Sequence, residues 1–154
     1  MAAIHPDADK FLNRRARFGV VTTLRSDGSA CTVPLWYDWD GTAVRFFSGA
    51  TSAKLKRLEK DPRISLTVSS EVDEGAEIWV SFEGLATVSK EGAKDLAVLL
   101  ARRYLGDVPV DPRAQEMKAS FEEMPETYVR QVHFVPTRGF AMLGDDKIQK
   151  LFID

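Results

Sequence analysis

Asp40-Gly41 separates two runs made almost wholly of β-branched, aromatic and small apolar residues, Ala30–Trp39 and Thr42–Phe47. Asp-Gly suits the positive-φ positions of a tight hairpin turn, so the two runs are predicted to pair antiparallel. The same pattern recurs along the chain. Phe18–Leu24 is a strand pattern closed by Ser26-Asp27-Gly28. Arg63–Ser69 alternates, with Ile64, Leu66 and Val68 on one face. Residues Ile78–Ser89 place Ile78, Val80, Phe82, Ala86 and Val88 on one face, and Thr127–Val135 alternates again before a last strand at Arg138–Leu143. Pro34 has no N–H to give a ladder and marks an edge or a bulge. Gly84, mid-strand, predicts a bulge or a sharp bend of the kind barrels need at their corners.

Short helices are inserted among these strands. One is entered at Asp7 with Phe11 and Leu12 turned inward. Another carries Leu96, Leu99, Leu100 and Tyr104 at helical spacing and ends at Gly106. A third opens on Asp111-Pro112, an N-cap followed by an N1 proline. It is predicted to bury Ala114, Met117 and Phe121 and to stop before Pro125. Six or seven strands, mostly joined by hairpins, make the fold class mainly β with helical insertions, an antiparallel six- to seven-stranded barrel. Strand–helix alternation and a Gly-x-Gly-x-x-Gly turn are both missing, which argues against a Rossmann domain. At 154 residues the expectation is one domain over 1–154, with residues 1–15 as an N-terminal helix or arm and 90–124 as a helical insertion.

Composition narrows the function classes. A net charge of -2 gives no general attraction to nucleic acid or to an anionic membrane surface. Cys31, the single cysteine, excludes an internal disulfide, brings no metal cluster with it, and reads as a small buried apolar residue. The first residues lack an apolar targeting segment and no run reaches membrane-span length, so the expectation is a cytoplasmic protein.

The stretch from Arg45 to Leu66 carries the chemistry. It runs from a strand through the small-residue turn Ser48–Ser52 into a helix that Asp61-Pro62 stops. Ser52 is a good N-cap. Lys54 and Lys56 sit in the first turn, where the helix dipole favours anions over cations. Free N–H groups, hydroxyls and an ammonium at one helix start can together hold a phosphate. Read without that ligand, the same lysines are a solvated face, and Lys56 and Lys60 fit that reading. Arg57 suits either an added charge on the site or the exposed face.

The order of elements from Ala16 to Val88, with Phe-Phe-Ser-Gly-Ala-Thr-Ser-Ala-Lys followed by Asp-Pro-Arg-Ile-Ser-Leu, resembles the pyridoxamine-phosphate-oxidase-like split barrels. That family binds flavins and deazaflavins. Ser48, Ser52 and Lys54 match hydroxyl and basic positions that hold the FMN phosphate in vitamin B6 oxidases, whereas Ala53 stands where those enzymes have arginine. The segment Thr32–Trp36 also lacks their arginine. Alanine does not replace a bidentate arginine, so vitamin B6 oxidation is not expected. The resemblance implies instead a homodimer with its cofactor at the subunit interface, acting on a small-molecule substrate. The cofactor would be FMN or, by slight preference, the 8-hydroxy-5-deazaflavin coenzyme. Its ring would lie along Val33, Pro34, Leu35 and Trp36, and its phosphate at Ser48, Thr51, Ser52, Lys54 and Arg57.

A second class of reading is a flavin- or haem-binding protein without turnover, or a haem- or biliverdin-processing member. Haem would need an axial imidazole, and only His5 and His133 supply one. Neither histidine has a Ser or Cys partner at a recognisable spacing, so no nucleophilic triad is expected and no catalytic acid or base is assigned. Trp39 and Trp79 read as packing or interface residues, and Arg138 as a weak candidate for a cofactor tail or a substrate carboxylate.

Overall fold

A computed structural model describes residues 3–153. Two antiparallel sheets share one apolar core. The larger has the order β11-β10-β7-β6-β2-β3 and the smaller β4-β5-β9-β8. The strands of the larger sheet are β2 (Gly19–Leu24), β3 (Ala30–Leu35), β6 (Arg63–Ser69), β7 (Ile78–Leu85), β10 (Arg138–Leu143) and β11 (Ile148–Lys150). The smaller sheet is made of β4 (Asp38–Trp39), β5 (Val44–Gly49), β8 (Thr87–Ser89) and β9 (Val129–Phe134). β1 (Ala3–Ile4) pairs with β12 (Phe152–Ile153). Alternation does the work in both sheets: Val21, Leu66, Val68, Val80 and Phe82 face Val44, Phe46, Val132 and Phe134 across the core. The result is a split β-barrel.

Two of the long runs are broken where the chain passes from one sheet to the other. The run from Ala30 to Trp39 divides at Trp36-Tyr37 into β3 and β4. The run from Ile78 to Ser89 divides at Ala86 into β7 and β8. The corner expected at Gly84 therefore falls two residues later. Gly84 itself stays in register opposite Ile64, and what it supplies is space. A Cβ there would meet Phe134 Cδ2 at 2.9 Å and the Val135 carbonyl at 3.0 Å. Pro34 is likewise in unbroken register opposite Val20, so it marks an edge strand and not a bulge.

The helices are α1 (Pro6–Arg14), α2 (Ala53–Lys60), α3 (Ala93–Leu105) and α4 (Pro112–Glu123). Their caps follow from the sequence. Ser52 Oγ accepts from the Leu55 N–H at 3.3 Å, and Asp111 accepts from the N–H groups of Arg113 and Ala114. Gly106 ends α3 at φ 92, a conformation glycine adopts without strain. α1 starts one residue earlier than expected. His5 is its N-cap, and Nδ1 accepts from the Asp7 N–H at 3.2 Å.

Several burial expectations are corrected. No residue of α4 is buried, and Met117 is 46% exposed, because the helix lies against α3 and an aromatic surface at the rim of the core. Leu99 and Val88 are also exposed; Val88 lies beyond the corner at Ala86, on the edge strand of the smaller sheet. Cys31, on edge strand β3, is only half-buried.

Candidate functional site

The start of α2 gathers the polar groups. Ser48, the last inward residue of β5, is buried, and its Oγ lies 2.7 Å from Ser52 Oγ. The same Ser52 oxygen caps the helix, so two hydroxyls and the Leu55 N–H meet at one point beside the first turn. Lys54 is half-buried beside them, with Nζ 5.7 Å from the centre of the Phe46 ring. Among the described residues no carboxylate pairs with it. Burial, and then the neighbouring Arg57 charge, hold its pKa below the ordinary lysine value. An ammonium in that position is destabilised until an anion joins it. Thr51 is exposed at the turn.

Arg57 is partly diverted. Its Nε donates to the buried Thr23 Oγ1 at 2.8 Å, tying α2 to β2. Arg57 also lines a groove of about 610 Å³ between α2 and the β2–β3 turn, with Arg25, Lys56, Lys60 and Arg63. Ala53 lines it too, so cations remain around the position where arginine is missing.

Edge strand β3 runs from this cluster to a second, apolar one. Cys31 lies near enough to Lys54 to act on its charge, and Trp36 is five residues further, about 16 Å along an extended strand. Val33 and Leu35 turn inward against the core, whereas Pro34 is exposed on the opposite face. Trp36 stacks on Tyr104 with centroids 5.2 Å apart and planes 13° from parallel, and meets Phe47 and Phe121 at 6.2 and 5.8 Å. The Tyr104 hydroxyl donates to the Arg17 carbonyl at 2.6 Å and accepts from the Tyr37 N–H at 3.3 Å, which fixes the ring under Trp36. Phe18, Pro34, Leu35, Trp36, Phe47, Met117 and Phe121 line an open hollow of about 290 Å³ on the surface.

Phe18, Phe47, Thr23, Tyr104 and the α4 residues are the members that the sequence reading missed. Tyr104 and Phe121 carried only a helical-spacing signal, which is the signal of a core face. The remaining candidates lie apart from the site. Arg138 is ion-paired with Glu83. Trp39 is buried, stacks on Phe82 and donates from Nε1 to Asp9 at 2.8 Å. Trp79 packs edge-on against Phe140. His133 stands opposite Arg45 and Thr87 in the smaller sheet. No group of three metal-ligating side chains occurs among the described residues, and no helix there is long and apolar enough to cross a membrane.

A split barrel of this kind has counterparts among known proteins. The family model described as pyridoxamine 5'-phosphate oxidase matches residues 4–133, and the chain belongs to that family. No curated protein sequence matches significantly. Solved structures with the same fold include a protein titled F420 reductase, at 20% identity and TM-score 0.65, covering 84% of this chain and 94% of that one. A conserved hypothetical protein from Mycobacterium tuberculosis is similar at 24% identity and TM-score 0.68, over 90% of this chain and 84% of that one. The heme storage protein HutZ from Vibrio cholerae is similar at 12% identity and TM-score 0.63, over 91% and 94%. At these identities the likeness is one of fold.

Proposed function

We propose that the chain is an oxidoreductase that binds a phosphorylated flavin-type cofactor along the open edge of β3. FMN and the 8-hydroxy-5-deazaflavin coenzyme both suit the site, with the latter slightly preferred. The observation that carries this reading is Lys54, a half-buried ammonium without a carboxylate partner among the described residues, set beside two hydroxyls at a helix start. Such a donor set fits a phosphate. Ser48, Thr51, Ser52 and Lys54 hold that phosphate, and Arg57 adds charge from its anchorage on Thr23. Val33, Pro34, Leu35 and Trp36 line the ring, and the Trp36–Tyr104 stack keeps that wall in place.

The cofactor, when bound, supplies hydride chemistry, while the protein orients it and keeps water away. The aromatic surface around Trp36 excludes water, and the α2 start neutralises the anionic end. We assign no proton-transfer residue. Burial raises the pKa of Tyr37 and of Tyr104, so both hydroxyls stay protonated near neutrality and serve as structural donors.

The site is completed, in this reading, by a second copy of the chain. Support comes from apolar side chains on the outer face of the larger sheet, where Val20, Leu85, Phe140 and Ile148 are exposed. A haem-binding or storage role without turnover is the second reading. It is favoured by the fold shared with HutZ, titled a heme storage protein. One titration separates the two. FMN, the deazaflavin coenzyme and haemin are added to purified protein and followed by absorption. Saturable flavin or deazaflavin binding supports the first reading, and a Soret band alone supports the second. Lys54→Ala should weaken flavin or deazaflavin binding by about 1.5–3 kcal/mol, the worth of a charge-assisted contact. Unchanged affinity sinks the phosphate assignment.

A further inference from the structure

The family's descriptive name points to a phosphorylated, polar substrate, but the cavity beside Trp36 has the opposite chemistry. All seven residues that line it are apolar or aromatic: Phe18, Pro34, Leu35, Trp36, Phe47, Met117 and Phe121. No lysine, arginine or histidine lines it to receive an anion, so the hollow offers apolar and aromatic contact and no charge pairing. Its walls are rings. Trp36 is held against Tyr104, and Phe47 meets Phe121 edge-on at 5.2 Å, so flat faces and edges are presented at fixed angles. Aromatic ligands are gripped by such offset and edge-to-face contacts. Phe18 and Met117, 58% and 46% exposed, stand at the rim with their apolar surface unused.

We propose that this cavity is the substrate subsite and that it takes an uncharged, planar, fused-ring molecule. Pro34, Leu35 and Trp36 form the wall shared with the cofactor ring, and Met117 and Phe121 of α4 continue it on the helical side, Phe121 against Trp36. The assignment of the ligand as substrate rests on the cofactor reading given above; the binding chemistry does not. A volume of about 290 Å³ suits a bicyclic ring system. It is a ligand-sized hollow, whereas a stable protein partner needs about 800 Å² from each side. The insertion that carries α4, which buries none of its own residues in the core, thereby acquires a role as a pocket wall.

Calorimetry with naphthol and naphthalenesulfonate at neutral pH tests the proposal on purified protein, with and without saturating FMN. Naphthol should bind in both conditions, and the sulfonate should bind about tenfold more weakly or worse. Met117→Glu places a carboxylate on the α4 wall at a half-exposed position and should lower naphthol affinity about tenfold, while Met117→Leu retains it. A thermal melt of each variant confirms folding. Lys54→Ala should leave naphthol binding intact. Naphthol binding that depends on Met117 in protein that takes no flavin or deazaflavin upholds the pocket chemistry, and only the cofactor reading then falls. Equal binding of sulfonate and naphthol overturns the proposal, as does indifference to Met117→Glu. Displacement of naphthol by FMN also overturns it, because the cavity would then belong to the cofactor ring.

Discussion

Replacing Arg17 with methionine should destabilise the protein more than any change at the candidate site. The Arg17 side chain is fully buried, and its guanidinium is committed on three sides. Nε donates to Glu74 Oε2 at 3.2 Å and Nη2 to Oε1; Nη1 donates to the Phe11 carbonyl at 2.6 Å; the plane lies 4.1 Å over the Phe11 ring. Glu74, with its side chain 8% exposed, is the matching carboxylate, and the Arg17 hydrogen bond pulls its pKa down to about 2. Arg17→Met removes the main partner of Glu74, which keeps Arg14 at 3.5 Å and the Glu71 N–H, so the loss is set by hydrogen bonds to charged groups, at about 1.5–3 kcal/mol. For a chain of this length that is a fall in midpoint of roughly 3–12 °C.

The pH dependence gives a sharper signature. A carboxylate depressed in the folded state contributes fully above its unfolded pKa, here near the ordinary 4.5, and that contribution is lost as pH falls toward about 2. Urea melts of Arg17→Met and the parent should therefore differ most near neutrality and converge below pH 4.5. Arg17→Met/Glu74→Gln should recover part of the loss, because no carboxylate is then left without its main partner. A single-mutant loss below about 1 kcal/mol, or a gap that stays constant from pH 7 to pH 3, would refute the argument.

Three other outcomes follow from the packing. Ser52→Ala removes the cap on Leu55 and the hydroxyl partner of Ser48, and should cost about 1 kcal/mol in a denaturant melt. Gly139→Ala places a Cβ 2.5 Å from the Ser81 carbonyl and 2.7 Å from Leu151 Cδ2, so β10 must move; a loss of about 1–3 kcal/mol is expected in thermal unfolding. Asp38 is buried between Arg45 and Arg103; burial alone would raise its pKa, but the two guanidinium hydrogen bonds outweigh it and hold the pKa low. Asp38→Asn should therefore destabilise near neutrality, with the difference from the parent shrinking as pH falls through the ordinary aspartate range.

The parts legible in the sequence were those governed by neighbours along the chain. The Ser52 and Asp111 caps, the Gly106 stop and the Asp40-Gly41 hairpin each rest on chemistry within a few residues, and each is found in the structure. Arg17 and Glu74 are 57 positions apart, and nothing local marks either as buried. Met117 and Val88 are exposed, against what their periodicity implies, for a related reason. Periodicity shows which residues share a face, but the element packed opposite decides whether that face is covered. The two-residue strands β1 and β12 exist only because distant segments meet. At the site the same division holds. The α2 start, a contiguous polar cluster, was legible, whereas the aromatic wall, assembled from Phe18 ahead of β2, the end of β3 with Trp36, β5, α3 and α4, was not.

Pro34 has a consequence outside ligand binding. β3 is the last strand of its sheet, and an open strand edge is a template on which another chain can add itself and aggregate. A residue without an N–H interrupts that template at one position, and its neighbour Trp36 leaves the sheet immediately afterwards toward Tyr104. The proline that lines the cavity is thus also a guard on the barrel's seam. A Pro34→Val variant, chosen to reshape the pocket, would restore a strand-forming edge and should show its cost first as loss of protein from solution over time.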